Sequence, residues 1–386
     1  MKVFVIAGEP SGDKLGGALM KGLQSLVPDV TFEGVGGPTM QAQGLDSQFP
    51  MQELSLMGIA EILPKYRHLK RRIRETAEAV IATKPDVLIT IDSPDFCLRV
   101  ARLVKAGSDV RTVHYVAPTV WAWRAGRAAK MARNIDQVLA LFPFEPPFME
   151  AEGMRCDFVG HPVAAEPPVT PAEVQGFLKK HQMLASGTDK VVILPGSRQS
   201  EIERLGETFV KAIADADVGD KQVIIPTLPH LRAQVERVFK PTLDGCFGVV
   251  VDGEGLTAEQ AARERLVAMA HADVALAASG TVSLELAAAR TPMVIAYDMS
   301  WLSRQVISRM LLTDTVTLVN LVSDTRVVPE FIGQDCQPTQ IAQALTQAFK
   351  SPNDQLDALD VTMDRLGRGG EAPGIRAARA VLSGLN

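Results

Sequence analysis

Short apolar runs alternate with longer amphipathic segments along most of this chain, and this alternation constrains its fold more than any other feature. The apolar runs are rich in β-branched residues and nearly continuous, which is typical of parallel strands covered on both faces. Helical patterns separate most of them, as in repeated βαβ units. Strands are predicted at residues 3–7, 86–91, 112–116, 137–141, 191–194, 223–225, 248–251, 274–277 and 293–296.

A proline-rich connector at residues 164–171 interrupts this alternation. Proline lacks the N–H group that the interior of a strand or helix requires, so we place a domain boundary there. The predicted fold is α/β, with two doubly wound, Rossmann-like domains that face each other across a cleft. Ligands are expected at the carboxyl ends of the strands. We expect domains at 1–165 and 166–350, and a helical tail at 351–386.

Composition excludes several classes of protein. The chain has 386 residues, of which 46% are hydrophobic and 22% charged, as in a globular rather than a disordered protein. A net charge of −5 and an aromatic content of 5% argue against a nucleic-acid partner. The four cysteines are far apart and no His/Cys/Asp/Glu cluster has metal-ligand spacing, so we expect no metal and no cofactor. Neither a signal peptide nor a membrane-spanning run is evident, so we expect a cytoplasmic location.

The first predicted strand leads into a glycine-containing turn, A-G-E-P-S-G-D, at residues 7–13. Ser11, Gly12 and Asp13 open the next helix, where backbone N–H groups suit the anion or sugar of an acceptor molecule. Ser11 and Asp13 also suit plain helix caps. Glu9 follows the strand where a substrate would sit, and we interpret it as a functional carboxylate.

Two further acids follow the second buried strand in I-D-S-P-D-F, residues 91–96. A carboxylate at a strand end is suited to act as a general base. Asp92 is favoured over Asp95 because it is closer to the strand and so better held. Turn formation before a proline explains the same residues without a functional role.

The run Y-V-A-P-T-V-W-A-W-R, residues 115–124, contains two of the three tryptophans. Trp121 and Trp123, followed by Arg124, suit an acceptor sugar or acyl chain, because an indole has an apolar face and a polar edge. Packing at a domain interface is the alternative interpretation, and one side chain could serve both purposes.

Two turns in the second half indicate a nucleoside diphosphate site. Ser197 and Arg198 follow a strand in L-P-G-S-R, where N–H groups, a hydroxyl and a guanidinium would cradle phosphate. After a later strand come Ser279, Gly280 and Thr281. Glu285 lies one helical turn beyond them and suits the vicinal hydroxyls of a ribose. A surface ion pair for Arg198 and an ordinary first-turn acid for Glu285 are the alternatives.

Residues 65–74 read K-Y-R-H-L-K-R-R-I-R, with six basic residues and no acid. A basic amphipathic stretch in an acidic protein favours binding to an anionic membrane surface. The predicted membrane contacts are Ile62, Leu63, Tyr66, Leu69, Arg71, Arg72, Ile73 and Arg74. Nucleic acid and a plain solvated helix are the alternatives.

An ordered set of motifs resembles one known family. The set comprises A-G-E-P-S-G-D, G-G-P-T-M at 36–40, M-G-I-A-E-I-L at 57–63, I-D-S-P-D-F, H-Y-V-A-P-T-V-W-A-W-R, F-V-G-H-P, L-P-G-S-R-x-x-E-I and A-S-G-T-x-x-L-E. These motifs, from residue 5 to about residue 322, are similar to those of lipid-A-disaccharide synthases.

The resemblance implies a GT-B fold and an inverting, metal-independent glycosyl transfer. The reaction would join UDP-2,3-diacylglucosamine to 2,3-diacylglucosamine 1-phosphate (lipid X) and release UDP, at the anionic inner face of the inner membrane. The resemblance implies that UDP contacts the second-domain residues above and Asn320, and that Glu9 and Asp92 are the catalytic acids. This chain has Leu318-Val319-Asn320 where the family usually has Leu-Pro-Asn. The tail is expected to return to the first domain, as the last helices of GT-B proteins commonly do.

Two rival functions stay open at this point. Another GT-B enzyme, such as a UDP-N-acetylglucosamine 2-epimerase, would need no lipid acceptor and therefore no basic stretch. A nucleotide-gated membrane-binding module would need neither Glu9 nor Asp92.

Asp215-Ala-Asp217 resembles a metal-binding D-x-D motif, but it ends a helical pattern and is interpreted as solvated surface. The oligomeric state is open, a homodimer included.

Overall fold

The computed structural model describes residues 1–54, 59–121, 126–184, 187–299 and 313–385, and for residues 59–65 the backbone alone. The chain forms two compact units. The first unit contains Met1–Ala165 and Leu366–Asn386, and the second contains Glu166–Arg365. Each unit is built on a parallel β-sheet, as the near-continuous apolar runs predicted.

The first unit alternates strands with helices. Its strands are β1 (Lys2–Ala7), β2 (Thr31–Val35), β3 (Asp46–Ser47), β4 (Val87–Ile91), β5 (Arg111–Tyr115), β6 (Gln137–Ala140) and β7 (Arg155–Phe158). Its helices before the connector are α1 (Pro10–Leu26), α2 (Pro38–Gln41), α3 (Ile59–Thr83), α4 (Pro94–Gly107), α5 (Gly126–Met131) and α6 (Pro146–Glu150). The strand order is β3-β2-β1-β4-β5-β6-β7.

The second unit repeats this plan. Its strands are β8 (Asp189–Leu194), β9 (Lys221–Pro226), β10 (Phe247–Val251), β11 (Val274–Ala278), β12 (Met293–Tyr297) and β13 (Glu330–Ile332). Its helices in the described residues are α7 (Pro171–His181), α8 (Gln199–Asp215), α9 (Arg232–Val238), α10 (Lys240–Gly245), α11 (Ala258–Ala270), α12 (Val282–Ala289), α13 (Leu318–Ser323), α14 (Pro338–Lys350) and α15 (Asn353–Arg365). The strand order is β10-β9-β8-β11-β12-β13.

Both sheets have one topological switch point, where the strand order reverses. In the first unit it lies between β1 and β4, which pair in register with Val5 opposite Ile89. In the second it lies between β8 and β11, with Val192 opposite Ala275. Open α/β sheets typically bind ligands at such a reversal, beyond the carboxyl ends of the strands.

Prolines begin the helices that follow the strands of the first switch point. Pro10 is the first residue of α1 and Pro94 the first residue of α4. The first N–H of a helix has no partner within the helix, so proline is tolerated there and its fixed φ angle favours helix entry. The chain therefore leaves β1 and β4 through short turns, and the residues of those turns are held at the sheet edge.

The core of the first unit lies between its sheet and the flanking helices. Phe4 of β1, Leu88 of β4, Val80 of α3 and Val100 of α4 are fully buried in one cluster. In the second unit, β8 and α8 contribute to a corresponding cluster that also includes α14. Burial at about 25 cal/mol per Å² of apolar surface stabilises both units.

The tail after α14 is divided between the two units. Helix α15 belongs to the second unit, and α16 (Pro373–Leu385) belongs to the first. Helix α16 packs so closely on α1 that a Cβ atom on Gly374 would lie 2.4 Å from the carbonyl oxygen of Ala18. The side chain of Gln137 in β6 donates a hydrogen bond to the Ala380 carbonyl at 2.8 Å. Glycine at the crossing and this long-range bond hold α16 against the first unit.

No helix in the described ranges is both long enough and apolar enough to cross a bilayer.

Candidate active site and nucleotide site

Two acids meet at the switch point of the first unit. Glu9 precedes α1 and is half-buried, and Asp92 follows β4. The two turns touch, because a Cβ atom on Gly8 would lie 2.6 Å from Ser93 Oγ. Burial, and in second place the negative charge of Asp92, raise the pKa of Glu9 above its usual value. The structure thus brings together the two carboxylates that were predicted separately from two motifs.

The backbone beside these acids adopts conformations that cost free energy. Asp92 and Ser93 both have left-handed backbones, with φ of +50° and +43°, and Val116 after the neighbouring strand β5 has φ of +84°. Such conformations are unfavourable for residues other than glycine, and most of all for a β-branched one, and they cluster at functional sites. The Asp92 N–H donates a 3.0 Å hydrogen bond to the Tyr115 carbonyl, so the sheet itself holds the turn.

Asp13, another candidate residue of the first turn, is buried and hydrogen-bonded within the first unit. Asp13 is only 3% exposed, and its carboxylate accepts hydrogen bonds from the N–H groups of Gly37 (2.8 Å), Thr39 (2.9 Å) and Met40 (3.1 Å). It therefore caps α2 from α1. These hydrogen bonds occupy the carboxylate that was predicted to contact the acceptor. We therefore assign Asp13 a role in positioning the loop after β2.

The neighbours of Asp13 differ in exposure. Gly12 is buried, and a Cβ atom there would lie 3.4 Å from both Ala7 Cβ and the Ile91 carbonyl oxygen, so α1 begins close to β1 and β4. Ser11 is exposed at the start of α1. Asp95, the other candidate base, is exposed in the first turn of α4 rather than in the turn that holds Asp92.

Trp121 lies at the same edge of the first sheet, after β5. It is half-buried, and its ring meets Phe144 edge to face at 5.2 Å between ring centres. Trp123 and Arg124, which were also predicted to bind the acceptor, lie outside the described residues.

His161 packs against Phe142, with ring centres 5.5 Å apart, and burial lowers its pKa to about 4.

At the switch point of the second unit, Glu201 closes the turn after β8. Its Oε2 accepts hydrogen bonds from the N–H groups of Ser197 (2.9 Å) and Arg198 (3.2 Å), and its Oε1 accepts one from the Arg198 guanidinium at 3.0 Å. Gly196 is left-handed at φ +115°, and a Cβ atom there would lie 2.5 Å from Glu201 Oε2. Glu201 was assigned no role from the sequence, and in the structure its carboxylate is the partner of the predicted phosphate-binding groups.

The turn after β11 carries the second predicted group. Ser279 is half-buried, whereas Gly280 and Thr281 are exposed just before α12. A Cβ atom on Gly280 would meet no other atom within 4 Å, so the space above this turn is open. Glu285 forms an ion pair with Arg265 of α11 at 3.0 Å, a partner that the motif did not reveal.

Asn320 has a different environment from the one predicted. It is 1% exposed, and its amide group donates to the Val328 carbonyl at 2.9 Å and to Thr315 Oγ1 at 3.3 Å. Its carbonyl oxygen accepts the Val328 N–H at 3.1 Å. The side chain therefore holds together the loop around α13, and this burial does not favour the predicted nucleotide contact.

The basic stretch on α3 is divided between core and surface. Ile73 is 8% exposed and belongs to the core cluster of the first unit, so its predicted membrane contact is wrong. Arg72 makes a two-pronged ion pair with Glu53, at 2.8 Å and 2.9 Å, and stacks on Phe49. This ion pair lowers the pKa of Glu53 to about 2, so Arg72 serves the fold rather than an open membrane face.

Other side chains of this stretch on α3 are accessible to solvent. Tyr66, Arg71 and Arg74 are exposed and Leu69 is half-buried. The side chains of Ile62 and Leu63 lie outside the described residues.

No group of three or more His, Cys, Asp or Glu side chains with the geometry of a metal site occurs in the described part of the chain. Asp217 pairs with Lys350 at the protein surface, and Asp215 is exposed at the end of α8.

The family model for lipid-A-disaccharide synthetase matches residues 3–368. A lipid-A-disaccharide synthase from Ruegeria pomeroyi is 58% identical over 100% of this chain and 96% of the relative. One from Rhodospirillum centenum is 42% identical over 99% of this chain and 94% of the relative, and one from Pseudomonas syringae is 38% identical.

Solved structures with the same fold are much more distant in sequence. A UDP-GlcNAc 2-epimerase from Neisseria meningitidis bound to UDP-GlcNAc has a TM-score of 0.59 and 12% identity, over 100% of this chain and 99% of its own. The S. aureus MnaA–UDP co-structure has a TM-score of 0.62 and 12% identity, over 98% and 94%. MurG from Acinetobacter baumannii has a TM-score of 0.55 and 14% identity, over 100% and 98%.

These likenesses confirm the predicted GT-B class, and at such low identity they show the fold alone. The epimerase alternative therefore gains nothing beyond a shared architecture. The near full-length match to the family model, and relatives up to 58% identical, decide between the functions that share this fold. The chain belongs to the lipid-A-disaccharide synthase family, and it is a glycosyltransferase of lipid A biosynthesis.

Proposed function

We propose that this chain joins UDP-2,3-diacylglucosamine to lipid X, forms the β-1′,6-linked disaccharide 1-phosphate and releases UDP. The first unit would bind the acceptor and carry out proton transfer, and the second would bind the nucleotide. The main support is that Glu9 and Asp92 lie together at the first switch point, where burial and, in second place, the charge of Asp92 raise the pKa of Glu9. An acid whose pKa is displaced by burial and by a neighbouring charge is typical of acid–base sites.

In the proposed step, Asp92 accepts the proton of the lipid X 6-hydroxyl. The freed oxygen forms a bond to the anomeric carbon from the face opposite the diphosphate, and the bond from that carbon to the diphosphate oxygen breaks. Configuration at the anomeric carbon is therefore inverted. Glu9 is the next candidate for the base, because its raised pKa lies closer to the neutral range in which general bases work best.

The departing diphosphate needs positive charge and hydrogen-bond donors. Arg198 supplies a guanidinium, and the turn at Gly280 opens toward the N-terminus of α12. Glu201 accepts the N–H groups of Ser197 and Arg198, so the diphosphate would use these groups only by displacing that carboxylate. One such preorganised donor is commonly worth about 3–4 kcal/mol of transition-state stabilisation.

The reaction is tested by UDP release from UDP-2,3-diacylglucosamine in detergent, with and without lipid X and with and without EDTA. We expect release that requires lipid X and persists in EDTA, because the transfer needs both sugars and no metal. Release without lipid X would contradict the proposed acceptor, and loss of release in EDTA would contradict the metal-free mechanism.

We further propose that the exposed face of α3 holds the enzyme at an anionic membrane surface. Each arginine near such a surface contributes about 1 kcal/mol, so the double variant Arg71→Ser/Arg74→Ser is expected to weaken vesicle binding about thirtyfold. Co-sedimentation with phosphatidylglycerol vesicles measures this. The matched control removes two exposed arginines of the second unit, Arg204→Ser/Arg237→Ser. Equal binding by both double variants would contradict the membrane face on α3.

A further inference from the structure

A glycine of the turn after β1 packs closely against a serine of the turn after β4. Gly8 follows β1 directly and is buried. A Cβ atom on it would lie 2.6 Å from Ser93 Oγ, 3.0 Å from Ser93 Cβ and 3.3 Å from Leu54 Cβ. Non-bonded heavy atoms pack best at about 3.5–4.0 Å, so Ser93 occupies the space that a side chain at residue 8 would need.

The Ser93 hydroxyl contributes volume to this contact rather than a hydrogen bond. Its oxygen is buried and has no hydrogen-bond partner within the described part of the chain. Ser93 precedes α4, where a serine usually caps the helix with its side chain, yet it makes no such bond. A buried hydroxyl without a partner and a left-handed backbone both cost free energy, and such features cluster at functional sites.

The turn after β4 is fixed on both sides by backbone hydrogen bonds. The Asp92 N–H donates to the Tyr115 carbonyl of β5 at 3.0 Å. The Ser93 carbonyl accepts the N–H group of Cys97 in α4 at 3.0 Å. The sheet and the helix therefore hold Ser93, and its Cβ atom cannot withdraw from Gly8 by a rotation of the side chain.

The turn after β1 is fixed in the same way. Ala7 pairs in register with Ile91, so the residues after them begin side by side at the sheet edge. The Asp13 N–H of α1 donates to the Glu9 carbonyl at 2.9 Å. An atom added at Gly8 would therefore push the two turns apart, and the residues that would move are those that carry the two acids.

We propose that Gly8 is a positioning residue for the proton transfer: because it has no side chain, Ser93 packs against it, and this contact sets the spacing between Glu9 and Asp92. The inference rests on the proposed function, in which Asp92 is the base. It goes beyond that function because it gives a role to two residues that neither hold the proton nor touch substrate.

The test compares Gly8→Ala with the double variant Gly8→Ala/Ser93→Gly. In Gly8→Ala we expect kcat to fall about 10²-fold, because a displacement of about 1 Å can cost that much. KM for lipid X should change less than kcat, and UDP affinity should equal that of the wild type, since UDP is proposed to bind the second unit. In the double variant, glycine removes the clashing atoms and accepts a left-handed backbone, so kcat should recover at least about tenfold.

A second readout does not depend on turnover. Burial and, in second place, the charge of Asp92 raise the pKa of Glu9. Turns that lie farther apart should therefore give Gly8→Ala a lower Glu9 pKa, and the double variant should return toward the wild type. A ¹³C NMR titration of the glutamate carboxyl carbons measures this. If the wild type releases no UDP with lipid X while Gly8→Ala still shifts this titration, the proposed function fails and the spacing contact stands.

The control is Gly176→Ala on α7, where an added Cβ atom would meet no atom beyond its own helix within 4 Å. It should keep the wild-type kcat. A folded Gly8→Ala enzyme with wild-type kcat, or with the wild-type Glu9 titration, would overturn the inference. If Gly8→Ala alone does not fold, the double variant decides: we expect it to fold and to turn over, and failure of either would overturn the inference.

Discussion

The first unit reverses its strand order between β1 and β4, and the second unit does so between β8 and β11. At the first reversal Glu9 and Asp92 follow adjacent strands, and burial, with the charge of Asp92 in second place, raises the pKa of Glu9. At the second, each acid is paired with an arginine, Glu201 with Arg198 and Glu285 with Arg265. In the proposed mechanism the same topology would supply a place for proton transfer in one unit and for anion binding in the other, according to the side chains that follow the strands.

The backbones of the two switch points differ as well. The first reaches its left-handed conformations with residues other than glycine, at Asp92 and Ser93. The second uses Gly196 and Gly280, which adopt positive φ angles at little cost. Backbone strain is therefore stored beside Glu9 and Asp92, where the proposed proton transfer would depend on side-chain direction, whereas the turns proposed to present N–H groups use glycine.

The largest effect is expected for Asp92→Asn, which removes the proposed base at the first switch point. We expect kcat to fall about 10³–10⁴-fold, because a positioned base contributes up to about that much, while UDP affinity stays unchanged. Turnover assays and calorimetric UDP titration measure the two quantities. The matched control is Asp95→Asn in the exposed first turn of α4. Wild-type turnover in Asp92→Asn, with activity lost in Glu9→Gln, would move the base to Glu9.

Arg198→Ala tests the proposed diphosphate site at the second switch point. Loss of one positive donor to the departing diphosphate is expected to lower kcat about 10²–10³-fold and also to weaken UDP binding. Asp92→Asn should leave UDP binding intact, so the pair of variants separates the two units. Arg204→Ala, an exposed arginine on the same helix, is the control. Unchanged UDP affinity in Arg198→Ala would remove the anion site from this turn.

The smallest effect concerns the pKa of Glu9. Replacing Asp92 by Asn removes a negative neighbour, which favours the ionised form, so the pKa of Glu9 should fall. It should stay above the ordinary value of 4.5, because burial is the larger cause and is unchanged. A ¹³C NMR titration of the glutamate carboxyl carbons in both proteins measures the shift. An identical Glu9 titration in the two proteins would show that the acids do not interact.

The alternation of apolar runs predicted the central strands well. Every predicted strand is present, and its ends differ by at most two residues from those observed. Strands β2, β3, β7 and β13 were not predicted. β3 and β7 lie at the edges of the first sheet and β13 at an edge of the second, and β2 contains Glu33 and Gly34. Edge strands are short or partly polar because one side of them is open, so they lack the continuous apolar signal of buried strands.

The motifs predicted only part of the candidate site. Glu9, Asp92, Arg198 and Glu285 were found because they follow strands in unusual segments, but their partners were not. Helical periodicity on α3 placed Ile73 on a membrane face, although a buried position on an amphipathic helix has the same spacing.

The fold class and, through the ordered motifs, the family can be inferred from the sequence alone, because local apolar periodicity and residue identity persist in any arrangement of the chain. Three pairings follow from the tertiary structure instead: Asp92 lies near Glu9, Asp13 accepts hydrogen bonds from the loop after β2, and Glu201 holds Arg198. Such pairings join segments through strand order and side-chain direction. These follow from packing of the whole unit, which no single stretch of sequence encodes.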